Sequence, residues 1–414
     1  MKILFVVNQV PFPPDNGVRI VSHHAMHLMK EAGHELALAV LTEETDDPAG
    51  RFADAAAFCR KDMAWWMPLP RRSRIAVQFS ASMHGNLYFV QRYGCAAFSR
   101  KLSGLIGAFR PDVIHFDIIT LAQYVALAPP GVGTVASIND SNALTLENAL
   151  AMGKYHGFAR AYRERQLKHS REYEAAHYPR FDAVHVMSGV DAAYLQRLSP
   201  AINTVVISNG VDAALFELAD ETRGRSDIIF VGQLAGDNLQ CLQKFVEVSW
   251  PLVVAECPQA RLHVVGSIGA EARRFKSMCA DRGNIVFHGY VEDLRDAYRQ
   301  CGIAIVPINK NCGIINKVVE AMAAGLAVVG FQKTFAGVGE AMSGLHCVAA
   351  VDYADFGHAV AGLIRDESRR RSMQSAAYGL ARQHYAWATR RTDYEHMYRR
   401  AAERAASTPR IARN

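Results

Sequence analysis

The residues best suited to chemistry lie between Asn309 and Gly325, where a glycine, a lysine and a glutamate stand at positions 313, 317 and 320. Apolar spacing predicts a helix from about Asn316 to Ala324, which puts Lys317 in its first turn and Glu320 three residues on along the same face. A cation in the first turn opposes the helix dipole, so helix stability does not account for Lys317. A phosphate would account for it, because the unpaired N–H groups of a helix start attract anions and Gly313 lets a backbone come close to one. Glu320 can accept both hydroxyls of a ribose, so the three residues together suit a nucleoside diphosphate. The same spacing fits an exposed lysine–glutamate pair beside a loop glycine, and both readings stand at this point.

Three further groups fall where strands should end. Gly17 and Arg19 follow the first apolar run, His115 and Asp117 close a second, and Asn139 and Asp140 close a third. Open α/β sheets bind ligands at the carboxyl edge of their strands, so these groups should share one face. Packing readings stand beside the chemical ones: an exposed Arg at a helix start, a buried His bonded to backbone, an Asp capping a helix. Ser188 and Asp191 read better as the cap of a helix from Val190 than as reacting groups.

The elements that must position these residues begin at the N-terminus. Lys2 to Asn8 is a continuous apolar run ended by Pro11, Pro13, Pro14 and Gly17, and Val18 to Ala32 has helical spacing up to Gly33. A strand from Glu35 to Leu41 completes a βαβ opening. Short apolar runs at Asp112–Phe116, Val132–Ile138, Ala183–Met187 and Thr204–Ile207 continue the pattern. After the turn at Asn209–Asp212 the alternation restarts: strands at Asp227–Gly232, Arg261–Gly266, Ile285–Gly289, Ile303–Pro307 and Leu326–Gly330, with a helix from Leu239 to Ala255. Two Rossmann-like, doubly wound domains hinged near residue 210 are expected. Trp387 to Ala406 reads as a final amphipathic helix with a basic, frayed end.

Length and composition agree with two domains. The chain has 414 residues, half of them hydrophobic, and 46 basic against 40 acidic side chains give +6. That excludes a disordered chain, and charges of mixed sign do not favour nucleic acid. Arg71, Arg72 and Arg74, and the arginines between 160 and 171, form the basic clusters; they read as solvated faces or as a surface for anionic lipid. Eight cysteines without a Cys-x-x-Cys pair or metal spacing read as reduced thiols of a cytosolic protein. The apolar start is too short for a signal segment, and no stretch suits a membrane span.

The Glu320-Ala-Met-Ala-Ala-Gly325 block followed by Val328-Val329 resembles the donor site of the retaining glycosyltransferases of family 4. Ser208–Asp212, Phe230–Gly232, Leu262–Gly266, Val286–Asp293, Pro11–Gly17 and Pro111–His115 are similar to other segments of that family. The resemblance implies an α/β chain of GT-B fold, two Rossmann-like doubly wound domains facing a central cleft. Residues 1–210 would form the acceptor-side domain, 211–385 the nucleotide-sugar domain, and 386–414 a helix packing toward the first. It implies transfer of a sugar from a nucleoside diphosphate donor to a glycan, lipid-linked or small-molecule acceptor, with no metal or other cofactor and with retained configuration. Gly17, Arg19, Gly232, Gly313, Ile314, Ile315, Lys317 and Glu320 would hold the donor, and His115, Asp117 and Asp140 would serve catalysis. A carboxylate at 117 or 140 would orient a hydroxyl or support positive charge at the anomeric carbon.

Departures from the family pattern are informative. The first of two glutamates common in the family is Cys312 here, and Gln233 and Asn238 stand where many members have an Arg and a Lys. Phosphate neutralisation would then lean on Lys317, the helix start and Arg19. A subgroup of bacterial polysaccharide sugar transferases, associated with exosortase, has Gly-x-x-x-Lys-x-x-Glu-Ala-Met-Ala in this loop, and Gly313, Lys317 and Glu320 fit it. The expected setting is the cytoplasm, with peripheral contact at the inner face of the membrane. The alternatives are a nucleotide-sugar epimerase of the same fold and a non-catalytic nucleotide-sugar-binding protein.

Overall fold

The computed structural model describes all residues except 15, 44–47, 84–86, 152, 154, 281, 283, 310–313 and 408–414. Cys312 and Gly313 therefore lie outside the described residues. The chain divides into two compact units, Met1–Asn209 with Arg390–Asn414, and Gly210–Thr389.

Unit 1 holds seven parallel strands: β1 (Lys2–Val7), β2 (Glu35–Thr42), β3 (Ala64–Pro68), β4 (Val113–Asp117), β5 (Gly133–Ser137), β6 (Ala183–Val186) and β7 (Thr204–Val206). Their order is β3-β2-β1-β4-β5-β6-β7. Residues Ile3 to Val7 are wholly buried because helices cover both faces, which is why the strand reads as an unbroken apolar run. The helix Gly17–Glu31 starts where Asn16 Oδ1 accepts from the Arg19 amide at 3.1 Å. From Arg390 onward the C-terminal helix Trp387–Ser407 belongs to unit 1, burying Tyr394, Met397, Tyr398 and Ala401. Gly133 admits that helix: a Cβ there would meet the Ala401 carbonyl carbon at 2.8 Å.

Unit 2 holds six parallel strands: β8 (Ile228–Val231), β9 (Leu262–Val265), β10 (Ile285–Gly289), β11 (Ile303–Val306), β12 (Ala327–Phe331) and β13 (Cys347–Ala350). They run in the order β10-β9-β8-β11-β12-β13. In each sheet the order reverses next to the first strand of its unit, between β1 and β4 and between β8 and β11. Such a reversal opens a crevice at the carboxyl ends, where doubly wound sheets take their ligands.

Two strands, β3 and β13, lie at sheet edges and were not expected from the apolar runs. The helix expected from Leu239 to Ala255 is continuous over residues 236–256 and carries a π turn at Phe245–Ser249 within it. Pro251 is the cause, because it lacks an N–H and its ring crowds the carbonyl four residues back, so the ladder widens before it.

Candidate functional site

At the carboxyl edge of unit 2, three neighbouring strands end in glycine: Gly232 after β8, Gly266 after β9 and Gly289 closing β10. The Gly232 amide donates to the Val265 carbonyl at 2.9 Å, and the Gly266 amide to Gly289 at 2.8 Å. Gly266 has φ +149°, and a Cβ there would lie 2.0 Å from the Gly232 carbonyl oxygen, so only glycine lets the two strand ends meet. A Cβ at Gly232 would lie 2.7 Å from Lys317 Nζ and 3.2 Å from Asn238 Nδ2. Gly232 thus leaves the room that the lysine occupies.

Lys317 stands in the first turn of the helix Asn316–Ala323, which has no acidic residue there and no side-chain hydrogen bond from its cap, Ile315. Its Nζ donates to Asn238 Oδ1 at 3.1 Å and rests 5.3 Å from the centre of the Phe230 ring. The Asn238 amide is fixed from its other end, where Nδ2 donates to the Gln233 carbonyl at 3.1 Å. Burial pushes the Lys317 pKa down to about 8, against the opposing pull of Glu320. The Glu320 carboxyl is pushed up by burial and drawn back by Lys317. Among the described residues neither side chain has an ion-pair partner, and Glu320 has no side-chain hydrogen bond. Glu320 also acts on the buried Tyr298 hydroxyl, which has no hydrogen-bond partner and whose ionisation burial makes harder. Ile314 and Ile315 pack on the core beneath and set where the helix starts.

The carboxyl edge of unit 1 is built from different groups. Asp117 ends β4 fully enclosed; its Oδ2 accepts from Ser22 Oγ at 2.8 Å, and Oδ1 has no partner. Burial raises its pKa to about 7, although the Ser22 hydroxyl and the Ile118 amide oppose the rise. Ile118 follows with φ +51° and Asn139, just past β5, has φ +56°. A left-handed β-branched residue is strained, and such strain concentrates where a chain is held for a purpose other than its own stability. Asn8 Oδ1, directly after β1, and Asn139 Oδ1 are also buried without partners. Asp140 is exposed beside them.

The remaining expected residues fall as follows. Gly17 is exposed and a Cβ there would meet nothing within 4 Å, so the chain itself does not require a glycine. Arg19 is buried rather than exposed at the helix start. His115 is not an open group at the strand edge: it is wholly buried, its Nδ1 lies 2.9 Å from Tyr398 Oη of the C-terminal helix, and its ring packs on Phe5. Burial lowers its pKa to about 3, so it is neutral. Ser188 caps its helix, accepting from the Asp191 amide at 3.2 Å. Sequence reasoning placed Phe230 and Gly266 in family-like segments without a role, and missed Ser22 and the buried Glu174, whose Oε1 accepts from the Asn142 amide at 2.8 Å and whose Oε2 accepts from Ser141 Oγ at 2.9 Å. Ser22 had a local signal, since it lies five residues after Gly17 on the face of the helix that must cover the sheet.

Among the described residues no group of three His, Cys, Asp or Glu side chains is placed to hold a metal ion. No described helix is long and apolar enough to cross a membrane.

Comparison with known proteins defines the class. Residues 16–215 match the model of Glycosyltransferase Family 4, and residues 225–366 match that of Glycosyl transferases group 1. Sucrose-phosphate synthase from Thermosynechococcus elongatus has a similar structure, with a TM-score of 0.70 at 15% identity, covering 99% of this chain and 100% of that one. HepE from Anabaena, solved with UDP and glucose, has a TM-score of 0.61 at 14% identity, covering 99% and 100%. A point mutant of TarM from S. aureus, in complex with fondaparinux, alpha-GlcNAc-glycerol and UDP, has a TM-score of 0.63 at 9% identity, covering 96% and 99%. No curated protein matches the chain in sequence. The two family matches and the two doubly wound sheets make this chain a glycosyltransferase of GT-B fold.

Proposed function

We propose that this glycosyltransferase takes a nucleoside diphosphate-sugar as donor and transfers the sugar, with retention of configuration, to a glycan, lipid-linked or small-molecule acceptor. The observation that carries the reading is Lys317: a partly buried cation at a helix start, held by Asn238 beside the glycine edge, with no carboxylate paired to it. A partly buried lysine that feels a carboxylate, Glu320, only at a distance and not as an ion pair among the described residues is stabilised when an anion arrives. UDP in HepE and in TarM supports a nucleoside diphosphate as that anion.

In this reading the bond from the anomeric carbon to the diphosphate oxygen breaks with its electron pair staying on the diphosphate. The acceptor hydroxyl forms the new C–O bond on the same face and gives its proton to a diphosphate oxygen. Lys317 and the first amides of its helix stabilise the charge that develops on the leaving group, and they do so without a metal. Glu320, which has no hydrogen-bonded partner among the described residues, accepts the ribose hydroxyls. Gly232 and the backbone of Ile314 and Ile315 give the diphosphate contact, the role that the family resemblance also implies for Gly313. At the edge of unit 1 the exposed Gly17 and Asp140 are the groups we assign to the acceptor hydroxyl, while the enclosed Asp117 acts on the helix that carries buried Arg19 through its bond to Ser22. His115, locked to Tyr398, holds the C-terminal helix against β4.

The test is to incubate the protein with UDP, GDP, ADP and dTDP sugars, with and without acceptors, and to read the anomeric configuration of the product by NMR. Retention, unchanged by a chelator, is expected. An inverted product contradicts the retaining step, and turnover that a chelator abolishes contradicts the charge assignment to Lys317.

A further inference from the structure

Away from the strand ends, unit 1 presents an apolar and basic face. The helix Arg74–Met83 turns Ile75, Phe79 and Met83 outward at i, i+4 and i+8, 83%, 68% and 69% exposed. These form one stripe along the helix. On the helix Gly157–His177, Phe158 is 97% exposed, and Tyr162 Oη donates to Gln78 Oε1 at 3.4 Å, joining the second helix to the first. Between them lies a crevice of about 1050 Å³ lined by Arg72, Arg74, Ile75, Phe79 and Tyr162, whose one acid, Glu43, is paired with Arg92 at 2.9 Å. A monomeric surface rarely leaves so much apolar side chain in water without something to cover it.

The charge on this face identifies the cover. Residues 70–83 contain Arg71, Arg72 and Arg74 and no acid, and residues 155–171 contain four arginines and a lysine against one glutamate. The second helix neutralises much of its own charge: Arg160 pairs with Glu164, Lys168 with Glu172 and Arg171 with Glu147. Arg71, Arg72 and Arg74 are exposed and, among the described residues, have no ion-pair partner. Unpaired guanidinium groups at the head of an apolar stripe match a surface that offers phosphates above hydrocarbon. A nucleic acid would use the arginines but leave the stripe in water.

We propose that this face docks on a bilayer of anionic lipid, with Ile75, Phe79, Met83 and Phe158 entering the boundary between headgroups and acyl chains and Arg71, Arg72 and Arg74 on lipid phosphates. The inference is independent of the donor and of the reaction, since none of these residues belongs to the unit 2 edge. Flotation of the full chain with vesicles of phosphatidylcholine, with and without about one-third phosphatidylglycerol, tests it. The protein should float with the anionic vesicles only, and less at high salt because exposed charges are then screened. Changing Arg71, Arg72 and Arg74 to Gln together should weaken partition about a hundredfold, since each basic residue near the surface contributes about fivefold. The pair Phe79→Ser and Phe158→Ser should weaken it about tenfold or more at low salt. Circular dichroism and melting temperature should match the unmodified protein in both variants. Equal flotation with neutral vesicles, binding retained by both variants, or a concentration-dependent dimer in light scattering that leaves vesicles unbound would each overturn the proposal.

Discussion

Unit 1 and unit 2 run the same strand order, and the order reverses beside β1 in one and beside β8 in the other. At the reversal unit 1 places an enclosed carboxyl, Asp117, whereas unit 2 places Gly232 next to Lys317. Burial disturbs both ionisable groups, raising the carboxyl to about 7 and lowering the amine to about 8. The helix starts differ in the same sense. In unit 1 the amides of Asn142 and Ala143 are already occupied by the Glu174 carboxylate, and that of Ser141 by Asp191. In unit 2 the helix Asn316–Ala323 begins with a lysine and without a capping side chain. At this start in unit 1 the amides are filled by the chain's own acids, whereas the start at Asn316 has a cation beside it. Shared topology therefore does not assign a role; the side chains at the strand ends do.

The largest effect should come from removing the cation that distinguishes unit 2. Lys317→Ala should lower kcat by about two to three orders of magnitude, the scale for losing one group that stabilises a developing oxyanion, with a smaller change in KM. A change confined to KM in steady-state kinetics would make Lys317 a ground-state contact and erase the contrast.

The carboxyl of unit 1 gives the next. The folded-state pKa of Asp117 is raised, so its contribution to stability is full below pH ~4 and is lost as pH rises through about 7. Asp117→Asn should therefore gain on the unmodified protein between about pH 4 and 7, reaching on the order of 4 kcal/mol and then levelling off. Melting temperatures across that range check it, and a difference independent of pH would show that Asp117 is not buried as a neutral acid.

A smaller loss is expected at Glu320. Glu320→Ala should weaken nucleoside diphosphate binding by about 1 to 3 kcal/mol, because hydrogen bonds to a charged acceptor are lost. Calorimetry reads this directly, and unchanged affinity would remove Glu320 from the ribose.

Much of this framework was legible in the sequence, and the misses have physical reasons. Central strands such as β1, β8 and β11 are buried on both faces, so their residues form unbroken apolar runs between turn signals. The edge strand β3 is only partly buried and ends in Pro68, and β13 is fully buried only at its first and last residues, so neither gives that signal. Lys317 and Glu320 were readable because both lie on one short helix. The seat of Lys317 was not, since Phe230, Asn238 and Gly232 reach it across the sheet and from 79 residues away in the case of Asn238. His115 could be placed at a strand end, but its partner Tyr398 is 283 residues distant and belongs to the last helix. The left-handed turn at Ile118 ran against local preference, because β-branched residues avoid that conformation.

The central claim is that the lysine at the unit 2 edge receives the diphosphate of the donor. Nucleoside diphosphate binding measured by calorimetry at pH ~8 in two buffers of different ionisation enthalpy tests it most directly. Near its pKa of about 8, Lys317 is half protonated, and an arriving anion raises that pKa. Uptake of about half a proton per nucleotide bound is expected, abolished in Lys317→Met together with a measurable loss of affinity for the free diphosphate, the charged leaving group. Binding of equal strength in both proteins, with the same proton uptake or none, would contradict it.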